Sequence, residues 1–326
     1  MKVIPYLFML LAAGSWSCDS FRQEVDPRKL PTVPPKLVVA CFISPQDTLL
    51  TAKVARSRPV LGQHNPQQSD LVSTATVTLT QGNRSVLLSY NPAEQVYQAE
   101  ARAFPIEAGK TYTLTVRTPE NQSVRATCRV PEPVNLLGVE LDSTVVAQRI
   151  WDPQQDRTGY TKQYLIRGRW NDPAQTANYY RVAGFSWFST RLISSAPAPP
   201  PGRINQQQLL FGRGDSNFLR PLLTDQHQNG QLMRSMTAML PTVSIYAGTP
   251  ELANQLITLN NYHSLVAFLE LLNVDEHYYQ YHETLQRQSS VEGNPFAEPV
   301  LVQTNIVGGL GCFGAYSRSV RWIYLR

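Results

Sequence analysis

Between residues 74 and 130 apolar and polar side chains alternate one for one. Ala75, Val77 and Leu79 interleave with Thr74, Thr76, Thr78 and Thr80. Tyr112, Leu114 and Val116 interleave with Thr111, Thr113, Thr115 and Arg117. Val124, Ala126, Cys128 and Val130 interleave with Arg125, Thr127 and Arg129. Successive side chains of a strand point to opposite faces, so each segment buries one face and wets the other. Such half-wet strands belong in antiparallel sheets, not in the fully covered parallel ones. Turn residues at Gly82-Asn83, Pro105 and Gly109 break the pattern at hairpin spacing. With the apolar run Leu37–Ile43 in front, residues 37–131 are predicted to form an immunoglobulin-like β-sandwich.

Pro131-Glu132-Pro133 marks the end of that unit. Residues 134–326 are predicted to form a larger, β-rich C-terminal domain, so the chain as a whole is mainly β. Tyr164, Ile166, Gly168 and Trp170 alternate. In the next strand both phases are apolar: Tyr180 and Val182 on one, Tyr179, Ala183, Phe185 and Trp187 on the other. Further strand signals cover Gln231–Leu240, Leu256–Leu272, Val300–Ile306 and Ser319–Leu325. One segment changes period. Asn273 can cap a helix with Glu276 three residues on, and Tyr278, Tyr281 and Leu285 recur at helical spacing, so 273–288 is predicted as the one helix.

The chain begins with Lys2, an apolar run Val3–Ala13, and then Gly-Ser-Trp-Ser-Cys ending at Cys18. That layout reads as a secretory signal over residues 1–17. Ser15 and Ser17 are the small residues of the cleavage site. Cleavage there leaves Cys18 at the N-terminus, where it can carry lipid; ordinary processing at the same Ser-Trp-Ser leaves it a plain thiol. Residues 18–36 are then lipid anchor and linker, polar and Pro-rich, able to extend to roughly 50 Å at about 3.1 Å per residue. Beyond Val3–Ala13 no apolar run is long enough to span a bilayer as a helix.

Three other cysteines remain, Cys41, Cys128 and Cys312. Three allow one bridge at most. Cys41 with Cys128 is the expected pair, since both lie in the same unit on inward phases; the alternative keeps all three as buried free thiols.

Chemistry is sparse. The 29 basic and 24 acidic residues give a net charge of +5, but no run of Lys or Arg exceeds two, so no nucleic-acid footprint is present. Gly309-Leu310-Gly311-Cys312-Phe313-Gly314 spells a dinucleotide motif, yet a following helix, a returning strand and a downstream acid are all wanting; it reads as a bend where backbones pack closely. His277 and His282 stand five apart, on diverging helix faces, and cannot share a metal. Asp152 and Asp156 lack the alternation of a calcium loop, and Arg213-Gly214-Asp215 is a triplet common by chance. No catalytic residue, cofactor or metal is expected, and the chain is read as no enzyme. What remains is aromatic: Trp170, Tyr179, Tyr180 and Trp187 are the candidate binding-face residues, against the alternative that half of them point inward as core.

Several stretches carry a likeness to a known family. They are Leu37-Val38-Val39-Ala40, Asp225 through Asn229-Gly230, Tyr278-Tyr279-Gln280-Tyr281, Asn294-Pro295-Phe296-Ala297-Glu298-Pro299, and the ending Asn305 to Ser317. Together they resemble the domain of unknown function 4249 lipoproteins of Bacteroidota, over nearly the whole chain after the signal. Cys312 departs from the aliphatic residue more usual there. The resemblance implies an outer-membrane lipoprotein, often encoded beside a TonB-dependent transporter, and it assigns no catalytic residues. The expected function is therefore a non-catalytic binding or accessory protein tethered to the outer membrane and partnered with such a barrel, with a structural or adhesive surface lipoprotein as the alternative.

Overall fold

The structure, a computed structural model, describes residues 34–58, 70–150, 157–174, 176–190, 204–213, 216–218, 220–241, 247–255, 262–291, 294, 296–298 and 300–325. The signal, Cys18, most of the linker, Asp152, Asp156 and Gly214-Asp215 lie outside the described residues.

The chain is mainly β, as its alternation predicts. The first seven strands are β1 Leu37–Ile43, β2 Leu49–Arg56, β3 Thr76–Gln81, β4 Arg84–Asn91, β5 Val96–Glu100, β6 Thr111–Arg117 and β7 Ser123–Arg129. Strand β4 turns the corner between two layers: Arg84–Leu88 pair with β3, Ser89–Asn91 with β5. The layer β1-β2-β5 faces the layer β3-β6-β7 across a core of Val39, Ile43, Leu50, Leu79, Leu114 and Val116, each at most 1 % exposed. The alternating threonines lie on the outer faces, which is the reason the pattern exists.

The rest comprises β8 Leu136–Ile150, β9 Arg157–Asn171, β10 Tyr179–Thr190, β11 Asn205–Gln208, β12 Leu210–Arg213, β13 Ser216–Phe218, β14 Leu222–Thr224, β15 Leu232–Arg234, β16 Ala238–Met239, β17 Tyr262–Val274 and β18 Leu310–Tyr324. Two helices accompany them, α1 Pro250–Gln255 and α2 Glu276–Val291. One sheet orders β13-β12-β16-β9-β15 with β8 alongside β9; the other runs β11-β10-β17-β18. They sandwich a second core of Trp170, Ile166, Tyr180, Phe211, Leu269 and Leu271.

Strand β18 joins the two cores. Its first half lies parallel to β1, with Val38 opposite Leu310 and Ile43 opposite Ala315, and buries Phe313 and Ala315 in the first core. Its second half pairs with β17 from Val274–Tyr316 to Val266–Tyr324, and Ile323 packs on the second core. The glycine-rich stretch makes the junction tight. A Cβ on Gly309 would stand 2.7 Å from the Leu37 carbonyl oxygen, and Gly311 has φ +104° with its missing Cβ only 2.1 Å from the Val39 oxygen. No helix among the described residues is long and apolar enough to cross a membrane, which says nothing of crossing by strands.

Local readings need correction. The main helix begins at Glu276, not at 273, because β17 continues to Val274 and uses Asn273, whose Nδ2 donates to the Glu132 carbonyl. Asp275 is the cap: its Oδ1 accepts from the Tyr278 N–H at 2.7 Å and its Oδ2 from the Ala315 N–H at 3.1 Å. A second, short helix accompanies the expected one. Thr249 caps it through the Leu252 N–H, with Pro250 in the first turn, a start signal legible in Thr-Pro-Glu. Finally, Cys41, Cys128 and Cys312 are free, buried thiols, so the expected Cys41–Cys128 bridge is absent. Both do face one core, but sharing a core does not bring two Cα atoms within the roughly 4.4–6.8 Å a bridge requires. Burial pushes the Cys41 thiol up to about 12 and raises the other two. With Cys18→Ser, the folded chain is expected to leave a thiol reagent unconsumed, whereas the denatured chain titrates all three; native consumption of one equivalent or more contradicts this placement.

Candidate binding face

Four adjacent strands, β11-β10-β17-β18, share an outer face whose rows follow from the pairing register. Gln206, Trp187, Val266 and Tyr324 form one row; Gln208, Phe185, Phe268 and Trp322 form the next. Then come Ala183, Glu270 and Val320, then Arg181, Leu272 and Arg318, and finally Tyr179, Val274 and Tyr316. At about 4.8 Å between strands, each four-residue row is about 14 Å wide.

Helix α2 covers one end of this face. Tyr279 lies on Tyr179 at 4.8 Å between centroids, and Tyr278 packs edge-on to Phe42 at 5.1 Å. The Arg181 Nη1 donates to the Tyr278 hydroxyl at 2.6 Å. His282 stacks on Tyr278 at 4.2 Å with its Nδ1 2.9 Å from the Tyr278 carbonyl. Burial and then the nearby Arg181 charge push His282 down to about 4, so the ring is neutral at neutral pH and Nδ1 carries its proton to that carbonyl. Burial pushes Asp275 up to about 7 against its two backbone donors. The Tyr316 hydroxyl donates to Asp47 Oδ1 at 2.8 Å. The Arg181–Tyr278 and Asp275–Ala315 contacts hold the helix to the sheet, while His282 bonds within the helix and Tyr316 ties β18 to the β1–β2 turn.

The other end has no such cover among the described residues, and it is aromatic. Trp187 and Trp322 stack at 5.3 Å with 24° between planes, Phe268 meets Trp322 at 4.7 Å, and Phe185 meets Trp187 at 6.2 Å. Trp322 remains 52 % exposed and Tyr324 78 %. The Glu270–Arg318 ion pair at 3.5 Å separates this open end from the helix-covered one. Apart from the Tyr324 phenol, the two aromatic rows contain no titratable side chain. They offer ring surface and, along β11, the amides of two exposed glutamines. Among the described residues no group of three or more His, Cys, Asp or Glu could hold a metal ion.

The four residues singled out in the sequence separate cleanly. Trp170 and Tyr180 are fully buried in the second core, 5.2 Å apart, with the Tyr180 hydroxyl donating to Asp172 Oδ1. They are core residues because their phases, shared with Ile166 and Val182, face the opposing sheet. Tyr179 is on the outer phase but lies under α2. Only Trp187 stands on the open face. Phe268, Trp322, Tyr324, Gln206 and Gln208 escaped the sequence reading; the Trp-Ile-Tyr alternation at the last strand was the available signal. A cleft of about 600 Å³ also lies against the C-terminal half of α2, lined among the described residues by Leu285, Gln288, Val291, Ala297, Glu298 and Val300.

The family-like stretches do structural work. Asn305 clamps the junction, its Nδ2 donating to the Thr127 and Phe313 carbonyls and its Oδ1 accepting from the Phe313 N–H. Asp225 Oδ2 accepts from the Asn178 N–H, and Gly230, at φ +72°, donates its N–H to Asp172.

Comparison with known proteins gives one family. The model described as "Domain of unknown function (DUF4249)" matches residues 20–321. No curated protein matches. A solved structure described as "Biofilm associated protein - B domain" aligns at 6 % identity over 88 % of this chain and 85 % of that one, with a TM-score of 0.16, too low to bear on fold or function.

Proposed function

This chain belongs to the DUF4249 family, and from that premise we propose that it is an outer-membrane lipoprotein that binds rather than catalyses, an accessory of a TonB-dependent transporter. The observation that carries the binding part is the open aromatic half of the β11-β10-β17-β18 face. Trp and Tyr supply the dominant contacts of protein interfaces, clustered and ringed by polar groups. Trp187, Trp322 and Tyr324, flanked by Gln206, Gln208 and the Glu270–Arg318 pair, have that composition. The signal-like Met1–Cys18 and the linker behind it support export and tethering. The barrel partner is supported by the family resemblance.

The test is isolation from gently solubilised membranes of cells fed a labelled fatty acid. The proposal expects label on the wild-type chain, none on Cys18→Ser, and an outer-membrane barrel in the same complex. A labelled chain running as a lone monomer overturns the accessory role and leaves the structural or adhesive reading; an unlabelled chain overturns the tether.

A further inference from the structure

We propose that the end of the fold formed by residues 300–310 and strand β7 seats on an anionic lipid surface; this deepens the tethered reading above and rests on it. The described chain starts where this end lies. Leu37 opens β1, its carbonyl touches Gly309, and Val38 pairs with Leu310. Val307 exchanges both backbone hydrogen bonds with Arg125 of β7, at 2.8 and 3.2 Å. So the point at which the linker joins the fold, the Gly308-Gly309 bend and the edge strand β7 form one surface.

That surface is apolar and basic. Leu301 is 80 % exposed and Val307 75 %, with Leu310 at 37 %. A single exposed aliphatic side chain means little. Here Val307 and Leu310 flank the Gly308-Gly309 bend and Leu301 lies six residues before Val307, on a segment that runs alongside β7 with its exposed Arg125 and Arg129. Glu120, in the turn before β7, is engaged by Arg56 at 3.2 Å.

The tether decides the occupant. Fifteen residues lie between Cys18 and Pro34, the first described residue, a reach of roughly 50 Å in extended form. A lipidated Cys18 would therefore hold this end near the bilayer at an effective concentration on the order of millimolar, where a weak contact suffices. Exposed aliphatic groups entering the headgroup boundary, with arginines over anionic headgroups, is the chemistry of surface-seated proteins. Strand β18 then acts as a spacer. From Leu310 to Trp322 it runs about 40 Å at about 3.3 Å per residue, carrying the aromatic face away from the seated end.

The experiment uses the chain from residue 18 onward with Cys18→Ser, so that no acyl chain contributes, and vesicles of phosphatidylethanolamine with phosphatidylglycerol, with phosphatidylcholine vesicles as the neutral control. Flotation of the parent with the anionic vesicles alone, weakened by salt, is expected. The paired change Leu301→Ser with Val307→Ser should abolish it, and Arg125→Gln and Arg129→Gln should each lower partitioning about fivefold. Circular dichroism confirms that these exposed changes leave the fold intact. A parent that ignores anionic vesicles, or variants that float as well as the parent, overturns the proposal. Binding only to native outer-membrane vesicles overturns it in favour of a protein partner at this end. Fatty-acid labelling of wild-type Cys18, scored separately, tells a failed seat from a failed tether.

Discussion

Gly311→Ala is expected to destabilise the fold by about 3 kcal/mol or more, well above the usual cost of a single substitution. Two independent terms add. The residue sits at φ +104°, where an L side chain is strained in any surroundings. Its new Cβ would also lie 2.1 Å from the Val39 carbonyl oxygen, and 2.9 and 3.0 Å from the Val39 carbon and nitrogen. All three are backbone atoms of the β1–β18 ladder, so no side chain can step aside. Because β18 feeds both cores, the damage reaches each. At roughly 3 °C per kcal/mol for a chain this size, the midpoint should fall by about 10 °C or more. Gly82→Ala is the control: φ is again positive, at +56°, but nothing lies within 4 Å, so about 1–2 kcal/mol is expected. Thermal unfolding of the two variants beside the parent checks both; equal midpoints would mean that the strand junction is looser than described.

The second large effect is functional. Replacing Trp187 and Trp322 together by alanine removes the stacked centre of the open face. If that face is an interface core, each tryptophan contributes on the order of 2 kcal/mol or more, so partner affinity should drop by roughly a hundredfold to a thousandfold. Stability should change far less, because Trp322 is half exposed and the pair-specific stacking term is about 0.5–1.5 kcal/mol. The contrasting variant is Trp170→Ala, expected to cost about 3–5 kcal/mol of stability because that ring is fully buried. Amounts of co-purified partner, read against melting midpoints, separate the two classes. A Trp187/Trp322 variant that retains its partner at parental levels would remove the face from the function.

Much of the architecture is legible in the sequence, and the reasons differ by element. Residues 74–130 alternate because each sandwich strand has one dry face and one wet one, so Leu79 and Thr80 announce their own orientation. The β10 strand gives no such announcement. Tyr180 and Val182 face the opposing sheet, while Tyr179 and Trp187 face α2 or open space, and both phases are apolar. Local sequence cannot rank two apolar phases; only the arrival of a second sheet on one side does that. Phe268 is hidden likewise in the continuous apolar run Leu265–Leu269, and Trp322 gains meaning only with the last strand placed beside it. The helix start slipped because Asn273 and Asp275 both look like caps, and the choice was made by β17 continuing two residues further in order to pair with β10 and β18. The Gly-rich ending announces close backbone packing, but its partner, the first strand of the chain, is a contact across some 270 residues that no local pattern encodes.

The claim on which the account turns is that the open aromatic half-face meets another molecule in the cell envelope. Tyr324 is its most exposed ring, on the outermost row. A photo-crosslinking phenylalanine analogue placed at Tyr324 and irradiated in intact cells should yield one dominant adduct with an outer-membrane barrel, while the same probe at Leu87, an exposed position on β4 of the first sandwich, should yield none. Adducts from neither position, or equal adducts from both, would contradict it.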